Sequence, residues 1–129
     1  MSPVRISRGF RPPDAPRHAG MDLTGQRGSP ILAAHEGIVI YAGSDFRGYG
    51  KMILVEYNSE WATLYAHLEH IAVKEGHIVS PGDPLGGMGS TGKASGVHLH
   101  FELMRHRRPV DPLPLLTRPN QIARAHSER

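Results

Sequence analysis

Gly96-Val97-His98-Leu99-His100-Phe101-Glu102-Leu103 places two histidines one residue apart inside an apolar run. In an extended chain, alternate residues share a face. Val97, Leu99, Phe101 and Leu103 then form one face, with the composition of a core. His98, His100 and Glu102 form the other, where two imidazoles stand close enough to serve one small ion or one reaction centre. The segment reads as a strand that borders a core on one side and walls a site on the other.

The rest of the chain has the composition such a strand needs around it. At 129 residues it fits one domain with room for a real core. Fifteen glycines and eleven prolines recur at short intervals, which favours many short strands joined by turns over long helices. The expected fold is all-β and mainly antiparallel, with few or no helices. There is no cysteine, so disulfides, iron–sulfur ligation and thiol catalysis are excluded. The net charge of +3 is mild and much of the positive charge sits at the two ends. No interleaving of aromatic and basic residues suggests base stacking, so no nucleic-acid partner is expected. No apolar run reaches membrane-spanning length. Met1 to Phe10 lacks the apolar segment of a signal peptide, so no export address is read in the sequence as it stands.

Taken in order, Val4 to Phe10 can form one edge strand before a proline-rich loop. Ile31 to Ala34 is short and apolar. Gly37 to Gly43 is a strand bracketed by glycines. Lys51 to Tyr57 is nearly continuous in apolar residues, as expected of a central strand covered on both faces. In Trp61 to Leu68, alternation groups Trp61, Thr63, Tyr65 and His67 on one face and Ala62, Leu64, Ala66 and Leu68 on the other. Ser80-Pro81-Gly82-Asp83 is a turn, and Pro84 to Gly89 is rich in glycine. The Gly89–Gly96 loop superficially suggests a phosphate cradle, but Lys93 is followed by Ala94 and then by a strand, so nucleotide binding is rejected. Leu113 to Leu116 can pack on the core. The domain is expected over residues 1–117, with 1–9 as its edge segment and 118–129 as a basic polar tail, read as frayed in preference to a short helix around Gln121 to Ala125. A monomer is expected.

Of the nine histidines, His18, His67, His98 and His100 lie in segments singled out for other reasons; the others default to surface roles. His18 and Asp22 are four apart around Gly20. On a flat strand they would lie about 13 Å apart, too far for one ion, and a bend at Gly20 would bring them together. A catalytic zinc usually takes three protein ligands and keeps one position open, which two histidines and a carboxylate satisfy. Spacing alone does not decide whether His98 or His100 completes the set. The same donors describe iron(II) oxygenases, but those typically use His-x-Asp/Glu, against three residues between His18 and Asp22.

Several segments, in order, resemble the M23 family of peptidoglycan endopeptidases of the LytM and lysostaphin type. They are His18-x-Gly20-x-Asp22, Gly28-x-Pro30-Ile31-x-Ala33, Gly37-x-Val39 and Gly48-Tyr49-Gly50. Tyr65-Ala66-His67-Leu68, Gly86-x-x-Gly89-Ser90-Thr91-Gly92 and Gly96-x-His98-Leu99-His100-Phe101-Glu102 continue the series. The resemblance runs from about Phe10 to Leu113. It implies a compact β-sheet or barrel-like sandwich of the duplicated hybrid motif type. By position it makes His18, Asp22 and His100 the ligands of one zinc ion per chain, and His67 and His98 the catalytic pair. It implies hydrolysis of peptide cross-links in bacterial peptidoglycan, in the cell envelope or outside the cell. Some relatives have lost ligands and act only as amidase activators; all five positions are intact here, and a non-cleaving binding or activating module is the rival reading. Glycyl bridges and direct D-alanyl cross-links are equally compatible with these residues. Glu102 could orient a ligand imidazole, and Tyr65 could line the cleft or pack in the core.

Overall fold

The computed structural model describes residues 5–11, 13 and 17–112. The expected packing of Leu113–Leu116 and the whole 118–129 tail lie outside these residues. The described chain forms ten strands and no helix: β1 (Arg5–Arg8), β2 (Met21–Thr24), β3 (Pro30–Leu32), β4 (Gly37–Gly43) and β5 (Lys51–Glu56), then β6 (Trp61–Ile71), β7 (Ile78–Val79), β8 (Pro84–Met88), β9 (His98–Arg105) and β10 (Arg108–Val110). Every pairing is antiparallel. The principal order is β1-β2-β9-β6-β5-β4-β7, so the sheet stays open rather than closing into a barrel, with β1 at one edge as its sequence suggests.

The all-β antiparallel expectation holds, and one strand explains the sandwich. The first part of β6, Trp61 to Ala66, lies between β5 and β9. Its last part, Leu68 to Ile71, pairs instead with β8, which pairs with β3. β6 therefore passes from the main sheet into a small second layer. The main core fills the space between, with Leu23, Ile53, Val55, Tyr65, Leu99 and Phe101 from the sheet meeting Ile31, Leu85 and Met88 from the smaller layer. Each fully buried Leu, Ile or Phe side chain contributes roughly 1.5–3 kcal/mol relative to exposure. A second cluster of Met52, Leu64 and Ala66 covers the opposite face of the main sheet, with Tyr41, Tyr49, Leu54 and Met104 against it. β5 is thus covered on both faces, as its apolar run predicts.

The glycines of β8 have a packing reason. A Cβ on Gly86 would stand 2.3 Å from the backbone oxygen of His70 on the paired strand. Backbone on both sides of the contact cannot yield cheaply, so Gly86→Ala is expected to cost about 1–3 kcal/mol, as overpacking does. Thermal or urea melting checks this; an unchanged midpoint would show that the layers separate freely.

Candidate metal centre and catalytic cleft

Strand register sets most of the site. β2 lies beside β9 with Asp22 directly opposite His100 and Thr24 opposite His98. On the other side of β9, Ala66 opposes His100 and Leu64 opposes Glu102. Directly opposed residues share a face. Asp22, His98, His100 and Glu102 therefore project on the side of the second cluster, while Leu99, Phe101 and Leu103 enter the main core at 0%, 1% and 8% exposure. The alternation read from the sequence is the alternation observed.

His18 precedes β2, and the chain bends at Gly20 between it and Asp22. The glycine is required by close approach: a Cβ there would lie 2.3 Å from the carbonyl oxygen of Phe101. The bend brings His18 Nε2 to 3.2 Å from Asp22 Oδ1. His100 Nδ1 lies 2.9 Å from the same oxygen. One donor atom from each of His18, Asp22 and His100 falls within 4.8 Å of the others.

The remaining ring nitrogens fix which atoms face the centre. A carbonyl oxygen only accepts, so His18 Nδ1–H donates to Gly9 O at 2.9 Å and leaves Nε2 with the lone pair. His100 Nε2–H donates to Glu102 Oε2 at 2.9 Å, which leaves Nδ1 facing Asp22. Glu102 is itself 5% exposed and accepts a further bond from the Tyr49 hydroxyl at 3.1 Å. This arrangement fits a divalent metal: two imidazole lone pairs and a carboxylate oxygen converge, each imidazole held from behind, with room for a further ligand. Burial alone would push His100 down, but hydrogen bonds to Asp22 and Glu102 and the charges of both carboxylates hold its pKa up to about 9 without a metal. Burial opposes ionisation of Asp22, yet the His100 hydrogen bond and the nearby His18, His100 and His98 bring its pKa below the ordinary value.

His67 reaches the centre by breaking its strand's pattern. Alternation groups it with Trp61, Thr63 and Tyr65, and Trp61 and Tyr65 do pack on the main core. His67 does not follow them. Its φ is +65°, a left-handed conformation uncommon for a residue with a side chain. Between the pairs Ile53–Tyr65 and Lys51–Leu68, Ala66 and His67 together oppose Met52. This is a bulge, and bulges re-aim side chains. The ring turns to the opposite face, 4.7 Å centroid to centroid from His98 and 6.0 Å from His100. The expected face of His67 is thus corrected, and the correction joins it to the other four residues. His67 Nδ1–H donates to Thr91 O at 2.7 Å and His98 Nδ1–H to Gly96 O at 3.0 Å, so both neutral rings keep a lone pair on Nε2. Burial lowers the His67 pKa; the Thr91 carbonyl and Asp22 raise it, His98 and His100 lower it further, and the net shift is downward.

The five residues line one open cleft of about 660 Å³ together with Tyr49. In the sequence Tyr49 stands only as part of a glycine turn, and an aromatic residue between two glycines is the signal that points to it. Tyr65 takes the core position: it is fully buried and its hydroxyl accepts bonds from Ala34 N and Thr63 Oγ1. His35, assigned by default to the surface, is half-buried with Nε2 2.8 Å from Thr63 Oγ1. His70, His77 and His106 are exposed as expected, and His126 lies outside the described residues.

Peptidase family M23 matches residues 16–112, and the chain belongs to that family. Over 99 residues it is 46% identical to a lipoprotein NlpD/LppB homologue of Pseudomonas aeruginosa, covering 77% of this chain and 33% of that protein. The murein hydrolase activator NlpD of Escherichia coli is 39% identical over 97 residues, 75% of this chain and 25% of the activator. This chain therefore spans a third or less of those two relatives. Among solved structures, the catalytic domain of the antimicrobial peptidase lysostaphin from Staphylococcus simulans aligns with a TM-score of 0.80 at 30% identity, covering 87% of this chain and 91% of that one. A zinc-containing peptidase from Vibrio cholerae aligns at 0.76 and 35% identity, over 84% of this chain and 36% of its own.

Proposed function

We propose that this chain is a zinc-dependent metalloendopeptidase that hydrolyses peptide cross-links of bacterial peptidoglycan. His18, Asp22 and His100 hold one zinc ion, and His67 and His98 are the catalytic residues. The observation that carries this reading is the convergence of three donor atoms within 4.8 Å beside two further imidazoles whose Nε2 lone pairs are free. The likeness to lysostaphin and to a zinc-containing peptidase supports the same reaction class.

When bound, zinc supplies a Lewis acid that polarises a carbonyl oxygen and acidifies a water molecule towards neutral pH. His67 and His98 do the proton work. A neutral Nε2 accepts a proton from the attacking water as its oxygen bonds to the scissile carbon. The imidazolium so formed donates that proton to the departing amine as the carbon–nitrogen bond breaks. The second ring, having taken a proton from solvent before the attack, donates its Nε2–H to the developing oxyanion. Thr91 and Gly96 hold both rings in the required tautomer through their carbonyls. Glu102 and Tyr49 hold His100. Glu102→Ala is accordingly expected to weaken zinc binding about 10- to 100-fold. Competition against a chelator measures it, and an unaltered affinity would remove Glu102 from the metal site.

The rival is a module that docks on peptidoglycan or an amidase without cleaving, favoured by the relative named a murein hydrolase activator. Metal analysis and mass spectrometry of fragments released from purified walls separate the two. Stoichiometric zinc with release of cross-link peptides supports the peptidase. Stoichiometric zinc with no release from walls of any cross-link chemistry supports the rival. We place the domain, as a monomer, in the cell envelope or outside the cell, in line with its lipoprotein relatives.

A further inference from the structure

We propose that the cleft selects cross-link peptides that carry free carboxylates beside the scissile bond, with Arg8, Arg47 and Lys93 as the selecting residues. The proposal rests on the endopeptidase reading and narrows its substrate. The three cations line the same cleft as the histidines. They arrive from separate elements: Arg8 from the edge strand β1, Arg47 from the β4–β5 loop and Lys93 from the β8–β9 loop. All three are exposed, and among the described residues none has a carboxylate partner. Arg27 pairs with Glu69 at 2.6 Å and Arg105 with Glu60 at 2.5 Å, whereas Arg11, Arg17, Arg107 and Arg108 are exposed without a carboxylate partner among the described residues; what sets Arg8, Arg47 and Lys93 apart is that they gather around one cleft. Asp22 is the one carboxylate among the described lining residues, and its Oδ1 already faces His18 and His100.

The two cation-bearing loops are tied together. Lys93 N donates to Gly48 O at 3.0 Å, and Lys51 N donates to Thr91 Oγ1 at 3.0 Å. Arg47 and Lys93 therefore stand on a common frame that also positions His67 through Thr91. A cleft lined by one sign of charge concentrates ligands of the other sign. A guanidinium matches a carboxylate with two parallel hydrogen bonds. A neutral glycine bridge offers these groups nothing, whereas a stem peptide with free α-carboxylates offers a partner on either side of the reacting bond.

The test uses the zinc-loaded full chain with His98→Ala, so that binding is read without turnover. Three labelled peptides of equal length are compared by fluorescence anisotropy: one with two free carboxylates, the same sequence with both as carboxamides, and pentaglycine. The acid form is expected to bind about three- to tenfold more tightly than its amide at low salt. The advantage shrinks as ionic strength rises. Adding Arg8→Gln, Arg47→Gln and Lys93→Gln brings the acid-to-amide ratio to about one, with melting temperature and zinc content serving as controls for folding. Equal affinity for acid and amide in the parent protein, or preference for pentaglycine, overturns the proposal. Stronger competition by a phosphate-backbone polymer than by the acid peptide overturns the assignment to peptide carboxylates. If the acid peptide is preferred but the protein with His98 intact cleaves none of the three, charge selection stands and the endopeptidase reading falls.

Discussion

Replacing His100 with alanine is expected to abolish zinc binding and wall hydrolysis together. His100 Nδ1 is one of three donor atoms that converge, and His18 and Asp22 alone leave an ion two protein ligands. The same ring bridges two carboxylates, Asp22 at 2.9 Å and Glu102 at 2.9 Å. Without it, both anions lose a shared donor on one face of the sheet, which weakens the frame as well as the ligand count. A Lewis acid contributes several kcal/mol to the transition state, so hydrolysis should fall by about a thousandfold or more. Inductively coupled plasma mass spectrometry reads the metal, and fragment release from purified walls reads the activity. His100→Gln, which keeps a polar side chain of similar reach, guards against a fold that simply fails. Stoichiometric zinc at unchanged affinity in either variant would sink the ligand assignment.

His98→Ala should separate the two properties. Its Nε2 stands 3.8 Å from Asp22 Oδ1, beyond hydrogen-bond reach, and its Nδ1 is committed to Gly96. The ring faces His67 rather than closing the donor set. Zinc affinity should stay within a few-fold of the parent, while turnover falls about 10²- to 10⁴-fold, the range for loss of a positioned proton-transfer group. A variant that lost its zinc would make His98 a ligand. One that kept near-normal hydrolysis would leave it no catalytic part.

Much of this was legible in the sequence because the signals were periodic. Leu99, Phe101 and Leu103 alternate with His98, His100 and Glu102, and a period of two admits no other partition of faces. Gly20 between His18 and Asp22 pointed to a bend because a straight strand holds them too far apart. What the sequence concealed was aperiodic. Gly86 and Gly87 carry no side-chain pattern, so β8 did not declare itself as a strand; those glycines answer to backbone on the neighbouring strand, a contact distant in sequence. Tyr49 and Tyr65 are the same residue type, yet one lines the cleft from the turn before β5 and the other fills the core from within β6, a difference of tertiary placement. His35 was read as surface because nothing local announces Thr63, 28 residues further on. His67 was assigned to the wrong face because a bulge adds one residue to the count, and alternation beyond that point is inverted.

That bulge uncouples stability from activity at a single position. A side chain at φ +65° costs on the order of 1–2 kcal/mol that glycine does not incur. His67→Gly relieves that strain but removes a buried ring and its 2.7 Å bond to Thr91 O, losses of similar size, so it should melt close to the parent's temperature while hydrolysing almost nothing. A library screened only for heat resistance would not tell that variant from the parent. Any effort to harden this domain for use has to score turnover in the same round as melting, because one of its left-handed residues is a histidine of the cleft.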